Sequence, residues 1–160
     1  MNNLNVLGLT KFYGDKPALN GVTFSACDGD FIGLLGANGA GKSTLIKCLS
    51  GVLMPSGGDV FFNQNSIVSS RNYCQFKVGY LPESPSGFED LTVNELISFS
   101  ATSHGLRGEK KKQSVATVLK DLQLQSISGL RLADLSKGLR QRAWLAQALV
   151  HNPEILFLDE

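Results

Sequence analysis

The sequence predicts an α/β fold: an antiparallel β region at the N-terminus, a core built round a glycine-rich loop, and a helical segment inserted before a last core strand. Three observations carry this expectation. The apolar run Phe31-Ile-Gly-Leu-Leu35 leads into Gly36-Ala37-Asn38-Gly39-Ala40-Gly41-Lys42-Ser43-Thr44, and a helical pattern leads out. Between residues 92 and 151 three helices follow one another, the first opened by a capping box. The chain then returns to a continuous apolar run, Ile155-Leu-Phe-Leu158, followed by Asp159 and Glu160.

Each element has a local reason. Residues 4–9, 17–19 and 22–25 are short strand candidates, with turns at Asn20-Gly21 and Asp28-Gly29-Asp30. Residues 31–35 read as a buried strand and 42–53 as a helix. Pro55-Ser-Gly-Gly-Asp59 ends that helix and turns into a strand at 60–62. Val78-Gly-Tyr-Leu81 is another buried strand, cut off by Pro82. After Gly87, Thr92-Val-Asn-Glu95 caps a helix carrying Leu96, Ile97 and Phe99, and Gly105 and Gly108 break it. Residues 109–124 form a second helix with Val115, Val118, Leu119 and Leu122 at three- and four-residue steps. A third runs from Ser136 to His151 and stops before Pro153. The expected division is 1–87, β region and loop core; 88–152, helical segment; 153–160, last core strand.

At 160 residues the chain supports one domain with a substantial core. A formal net charge of +1 argues against a nucleic-acid partner. The one basic cluster, Lys110-Lys111-Lys112, reads as a solvated helix face, with a membrane-surface role as the alternative. Cys27, Cys48 and Cys74 are odd in number and share no close spacing, which suits reduced thiols of a cytosolic protein. No run approaches a membrane span, and the first residues carry no signal-peptide pattern.

The loop 36–44 fits G-x-x-x-x-G-K-[ST]. Its glycines let successive N–H groups turn inward on a phosphate oxyanion, with a helix N-terminus behind them. Lys42 adds a full charge for the β/γ-phosphates, and the Ser43 hydroxyl is a ligand for Mg²⁺. The expected ligand is a nucleoside triphosphate. An apolar strand ending in Asp159-Glu160 delivers carboxylates to the crevice where α/β proteins bind ligands. Asp159 is then placed to hold Mg²⁺, and Glu160 to polarise an attacking water.

Between these motifs lies Leu135-Ser136-Lys137-Gly138-Leu139-Arg140-Gln141-Arg142. Here the whole chain resembles the nucleotide-binding subunit of ATP-binding cassette transporters, whose signature is Leu-Ser-x-Gly followed by Gln-Arg. The resemblance implies a P-loop (RecA-like) core with ATP and Mg²⁺ as cofactors. It implies adenine stacking on Tyr13, and two cassettes, head to tail, with residues 135–139 of each acting on the other's ATP. It further implies transmembrane permease partners and a place on the inner face of the membrane. Three departures stand out. Glu83, in Gly79-Tyr-Leu-Pro-Glu83-Ser84, occupies the position where the family commonly has a Gln, as in cassettes of two-component exporters. Lys137 and Leu139 replace the common Gly and Gln of the signature and look like the same exporter branch. The chain stops at Glu160, before a dimer-contact loop and a switch His, and so reads as an N-terminal fragment; His104 and His151 both precede the Walker B strand. The alternatives are a soluble cassette ATPase acting on ribosomes or DNA, and a truncated chain that binds ATP without useful turnover.

Overall fold

The computed structural model describes residues 3–70 and 76–159. They form two compact units, Met1–Val78 with Asp159, and Gly79–Leu158.

The first unit opens with two long antiparallel strands, β1 (Asn3–Tyr13) and β2 (Lys16–Cys27). They are joined by a two-residue turn, Gly14-Asp15, with Gly14 at φ 58°. Positive φ at the first central residue suits the primed turns that match strand twist. The expected turn at Asn20-Gly21 is not a turn. β2 runs straight through it, and Gly21, at φ 71°, sits where the register with β1 shifts between Leu9↔Val22 and Lys11↔Leu19. A turn and a bulge both call for a residue at positive φ, so the dipeptide serves either. The bulge is stitched by Thr10, whose hydroxyl donates to the Gly8 carbonyl at 3.0 Å and accepts from the Gly21 N–H at 3.2 Å. A further shift between Val6 and Leu9 changes the inward parity, so Leu4, Val6 and Leu9 are all buried. The Asp28-Gly29-Asp30 turn forms as expected, with Asp30 N–H donating to the Cys27 carbonyl and the Asp30 carboxylate accepting from Cys27 N–H.

Helix α1 (Lys42–Leu49) is shorter than the expected 42–53, because Gly51 at φ 73° ends it. Its Leu45, Ile46, Cys48 and Leu49 are buried. β3 (Gly57–Phe62) pairs antiparallel with β1, setting Val6 opposite Val60 and Leu4 opposite Phe62, all four buried. A short β4 (Asn65–Ser66), which the sequence did not signal, completes the sheet order β2-β1-β3-β4.

The expected buried strand at 31–35 is absent. Residues 31–37 carry no regular structure, and Phe31 and Leu35 are 104% and 97% exposed. An apolar run becomes a strand only when a ladder partner satisfies its backbone, and among the described residues none pairs with it.

β5 (Val78–Leu81), which but for Val78 belongs to the second unit, pairs with β6 (Ile155–Leu158) in a two-stranded sheet. Both strands lie where expected, but β6 is not fully buried: Leu158 is 48% exposed. A strand in a two-stranded ribbon has only one neighbour to cover it. Three helices complete the unit: α2 (Val93–Ser103), α3 (Gly108–Asp121) and α4 (Lys137–Leu149). Their shared core includes Val93, Ile97, Val115, Leu119, Ala143 and Trp144. The capping box at Thr92 is present: its hydroxyl accepts from Glu95 N–H, and the Glu95 carboxylate accepts from the Thr92 N–H at 2.8 Å. Gly105, at φ 80°, ends α2, with Leu106 N–H returning to the Ala101 carbonyl. Among the described residues no helix is long and apolar enough to cross a membrane.

Candidate functional site

The loop at 36–44 has the geometry its glycines allow. Gly39 and Gly41 lie at φ 82° and 92°, the left-handed region open to glycine. Gly41 is also closed to any side chain, since a Cβ there would run into the Ala18 carbonyl oxygen and lie 3.3 Å from Leu19 Cδ2. The strand β2 and the loop therefore touch through a glycine. Ala40 N–H donates to the Ala37 carbonyl at 3.1 Å, tightening the curl ahead of α1.

Gly41 caps α1 without any side-chain hydrogen bond. The first N–H groups of a helix have no intrahelical acceptor. Those of Lys42, Ser43 and Thr44 donate to no protein acceptor among the described residues. Lys42 Nζ lies across the loop, donating to the Gly36 and Ala37 carbonyls at 2.8 and 3.1 Å. A concave backbone, N–H groups with no acceptor among the described residues, a helix N-terminus and an ammonium thus converge on one spot. Such an arrangement receives a phosphate.

Tyr13 lies at the hairpin tip in the same unit and is 54% exposed. The Lys11 ammonium sits over its ring, 5.7 Å from the centroid. Asp159 is placed with this unit and is 3% exposed. Ser43 and Asp159 supply hard oxygen donors, the chemistry that suits Mg²⁺. Glu160, the expected catalytic carboxylate, lies outside the described residues, as does Cys74. Of the other cysteines, Cys27 is exposed and Cys48 buried. Burial pushes the Cys48 thiol up, and the Lys11 ammonium pulls it partly back.

Glu83 and residues 135–139 belong to the second unit. Glu83 is exposed in the bend after β5. Ser136 caps α4, accepting from Leu139 N–H at 3.4 Å, a long and weak bond that leaves the hydroxyl exposed. Lys137 and Gly138 are exposed, Leu139 is half-buried, and Leu135 is buried as the anchor. Arg140, one turn into α4, holds the entry by donating from Nη2 to the Leu135 carbonyl at 3.1 Å. That role was not legible beforehand, because it depends on the backbone path of the preceding loop.

These features define a P-loop nucleotide-binding domain with a helix-capped signature segment. Residues 19–160 match the family described as ABC transporter, and the chain belongs to that family. It is 36% identical over 152 residues to the probable multidrug ABC transporter ATP-binding protein YbhF of Escherichia coli (strain K12), covering 95% of this chain and 26% of that protein. It is 31% identical over 157 residues to the Nod factor export ATP-binding protein I of Rhizobium sp. (strain N33), covering 98% and 52%. Among solved structures, an ATP-binding subunit of an ABC transporter superposes with a TM-score of 0.87 at 29% identity, covering 98% of this chain and 65% of that one. The cbiO1 protein of Clostridium perfringens, part of the transporter complex cbiONQ, gives 0.83 at 30% identity, covering 98% and 64%. The chain thus spans about a quarter to a half of the length of these two relatives.

Proposed function

We propose that this chain is the ATP-binding and hydrolysing portion of a subunit that powers an ABC transporter of the exporting kind. The observation that carries the reading is the convergence of Lys42, the left-handed glycines and the first turn of α1 on one spot. Export is favoured by the Leu81-Pro82-Glu83 and Ser136-Lys137-Gly138 variants. It is favoured too by relatives whose names specify multidrug transport and Nod factor export.

In this reading the loop N–H groups and Lys42 bind the β- and γ-phosphates, and Tyr13 stacks on the adenine. Ser43 and Asp159 would hold Mg²⁺, which, when bound, offsets the phosphate charge. Glu160 polarises the attacking water. Two subunits face head to tail, so that residues 135–139 of each approach the phosphates bound by the other. ATP favours the closed pair only as far as it binds that state more tightly than the open one. Loss of the γ-phosphate lets the pair reopen. The helical segment 88–152 and the Glu83 bend pass this motion to transmembrane subunits, and the subunit sits peripherally on the inner face of the membrane.

The test uses the full-length subunit. Lys42→Ala should lose most MgATP affinity in a calorimetric titration; unchanged affinity would sink the P-loop assignment. Glu160→Gln should bind ATP, turn over slowly and accumulate as a dimer. Normal turnover would mean that another group positions the water.

A further inference from the structure

We infer that Lys11 is a positioning residue for the base platform, holding the Tyr13 ring and tying it to the segment that follows the phosphate-binding helix. The inference rests on Tyr13 serving as the adenine surface.

Lys11 and Tyr13 are two residues apart on β1, the spacing that places side chains on one face of a strand. The ammonium lies 5.7 Å from the ring centroid, within range of the attraction between a cation and an aromatic face. A lysine on an exposed strand would ordinarily sample many rotamers. This one is held at its far end, because Nζ donates to the Met54 carbonyl at 2.7 Å. One cation therefore fixes the ring on one side and the backbone of the segment between α1 and β3 on the other.

The same segment is joined to β1 twice more. Ser56 N–H donates to the Thr10 carbonyl at 2.7 Å, and Phe12 N–H donates to the Ser56 hydroxyl at 3.0 Å. Three polar contacts thus reference the hairpin tip to the chain that leaves α1, while the start of α1 forms the phosphate site. Tyr13 keeps 54% of its surface exposed, so the ring remains accessible for stacking. A platform held at a fixed orientation loses less freedom when a base stacks on it, and the saving appears as affinity.

The experiment compares MgATP with inorganic tripolyphosphate, which has no base, on the full-length subunit by calorimetric titration. Lys11→Met removes the charge and keeps the chain length. It should weaken ATP about two- to fivefold and leave tripolyphosphate unchanged. Lys11→Arg should restore ATP affinity. Tyr13→Ala should weaken ATP about fivefold or more, and adding Lys11→Met to it should cost nothing further. If Lys11→Met weakens both ligands equally, or keeps its full effect without Tyr13, Lys11 serves only the fold and the inference fails. If Tyr13→Ala leaves ATP affinity unchanged, the adenine platform itself is wrong, and the role of Lys11 falls with it.

Discussion

Replacing Gly41 with alanine tests whether the phosphate loop is fixed by its contact with β2 as well as by its own dihedral angles. Gly41 sits at φ 92°, where an L-residue pays about 1–2 kcal/mol in strain. Its new Cβ would also collide with the Ala18 carbonyl oxygen and press on Leu19, itself only 6% exposed. Overpacking of this kind costs about 1–3 kcal/mol more. The expected loss is therefore about 2–5 kcal/mol, a large part of the ~5–15 kcal/mol that holds a domain together. Gly39 supplies the control. It lies at φ 82°, yet a Cβ there meets nothing within 4 Å, so Gly39→Ala should cost only the ~1–2 kcal/mol of strain. Urea unfolding followed by far-ultraviolet circular dichroism gives both losses. Amide exchange across residues 16–27 shows whether β2 has shifted. Equal urea midpoints for the two variants, with no faster exchange in β2 for Gly41→Ala, would refute the argument.

Ser136→Ala removes a weak cap and should cost only about 0.5 kcal/mol of stability, while turnover by the full-length dimer should fall about tenfold or more if the hydroxyl faces the partner's ATP; unchanged turnover removes Ser136 from that role. Hydrogen bonds from the Thr92 N–H, and then from its hydroxyl, hold the Glu95 carboxyl below its usual pKa. A depressed carboxylate stabilises the fold above its unfolded pKa of about 4.3, and that contribution is lost as pH falls through the folded value. The stability gap between the natural chain and Glu95→Gln should therefore shrink on acidification from pH 7; a gap constant with pH contradicts the assignment. Gly79→Ala involves no left-handed strain, but its Cβ would lie 2.6 Å from the Ala148 carbonyl oxygen and 2.9 Å from Leu156 Cδ1. It should destabilise the second unit by about 1–3 kcal/mol, seen as a lower urea midpoint of Trp144 fluorescence; no change would mean the β5–α4 contact is loose.

What the sequence made legible follows from how far apart the interacting groups lie along the chain. The Thr92 box is complete within four residues and the loop 36–44 is announced by its own glycines and lysine, so residue type and spacing signal both, although the close approach of Gly41 to Ala18 of β2 is not local. The run 31–35 is different. Its apolar character signals a demand for burial, but a strand is a relation between two segments, and the described residues offer this one no ladder. Asn20-Gly21 shows a second kind of ambiguity, since one local conformation serves both a turn and a bulge. Register resolves it, and along β1 it is set by the pairing of Leu4 and Val6 with β3 and of Leu9 with Val22 of β2.

The same reasoning explains why Tyr13 could be singled out from the family resemblance while Lys11 could not. The family pattern names an aromatic at the position of Tyr13 and names nothing at Lys11. The partner that gives Lys11 its role is a backbone carbonyl 43 residues away, and a carbonyl has no residue-type signature. Sequence spacing finds groups whose chemistry is written in their side chains. Contacts to main-chain oxygens, such as those of Lys11 with Met54, Lys42 with Gly36 and Arg140 with Leu135, emerge only once the backbone path is known. All three are cations whose donors need acceptors, and each finds one in the main-chain oxygen of a loop.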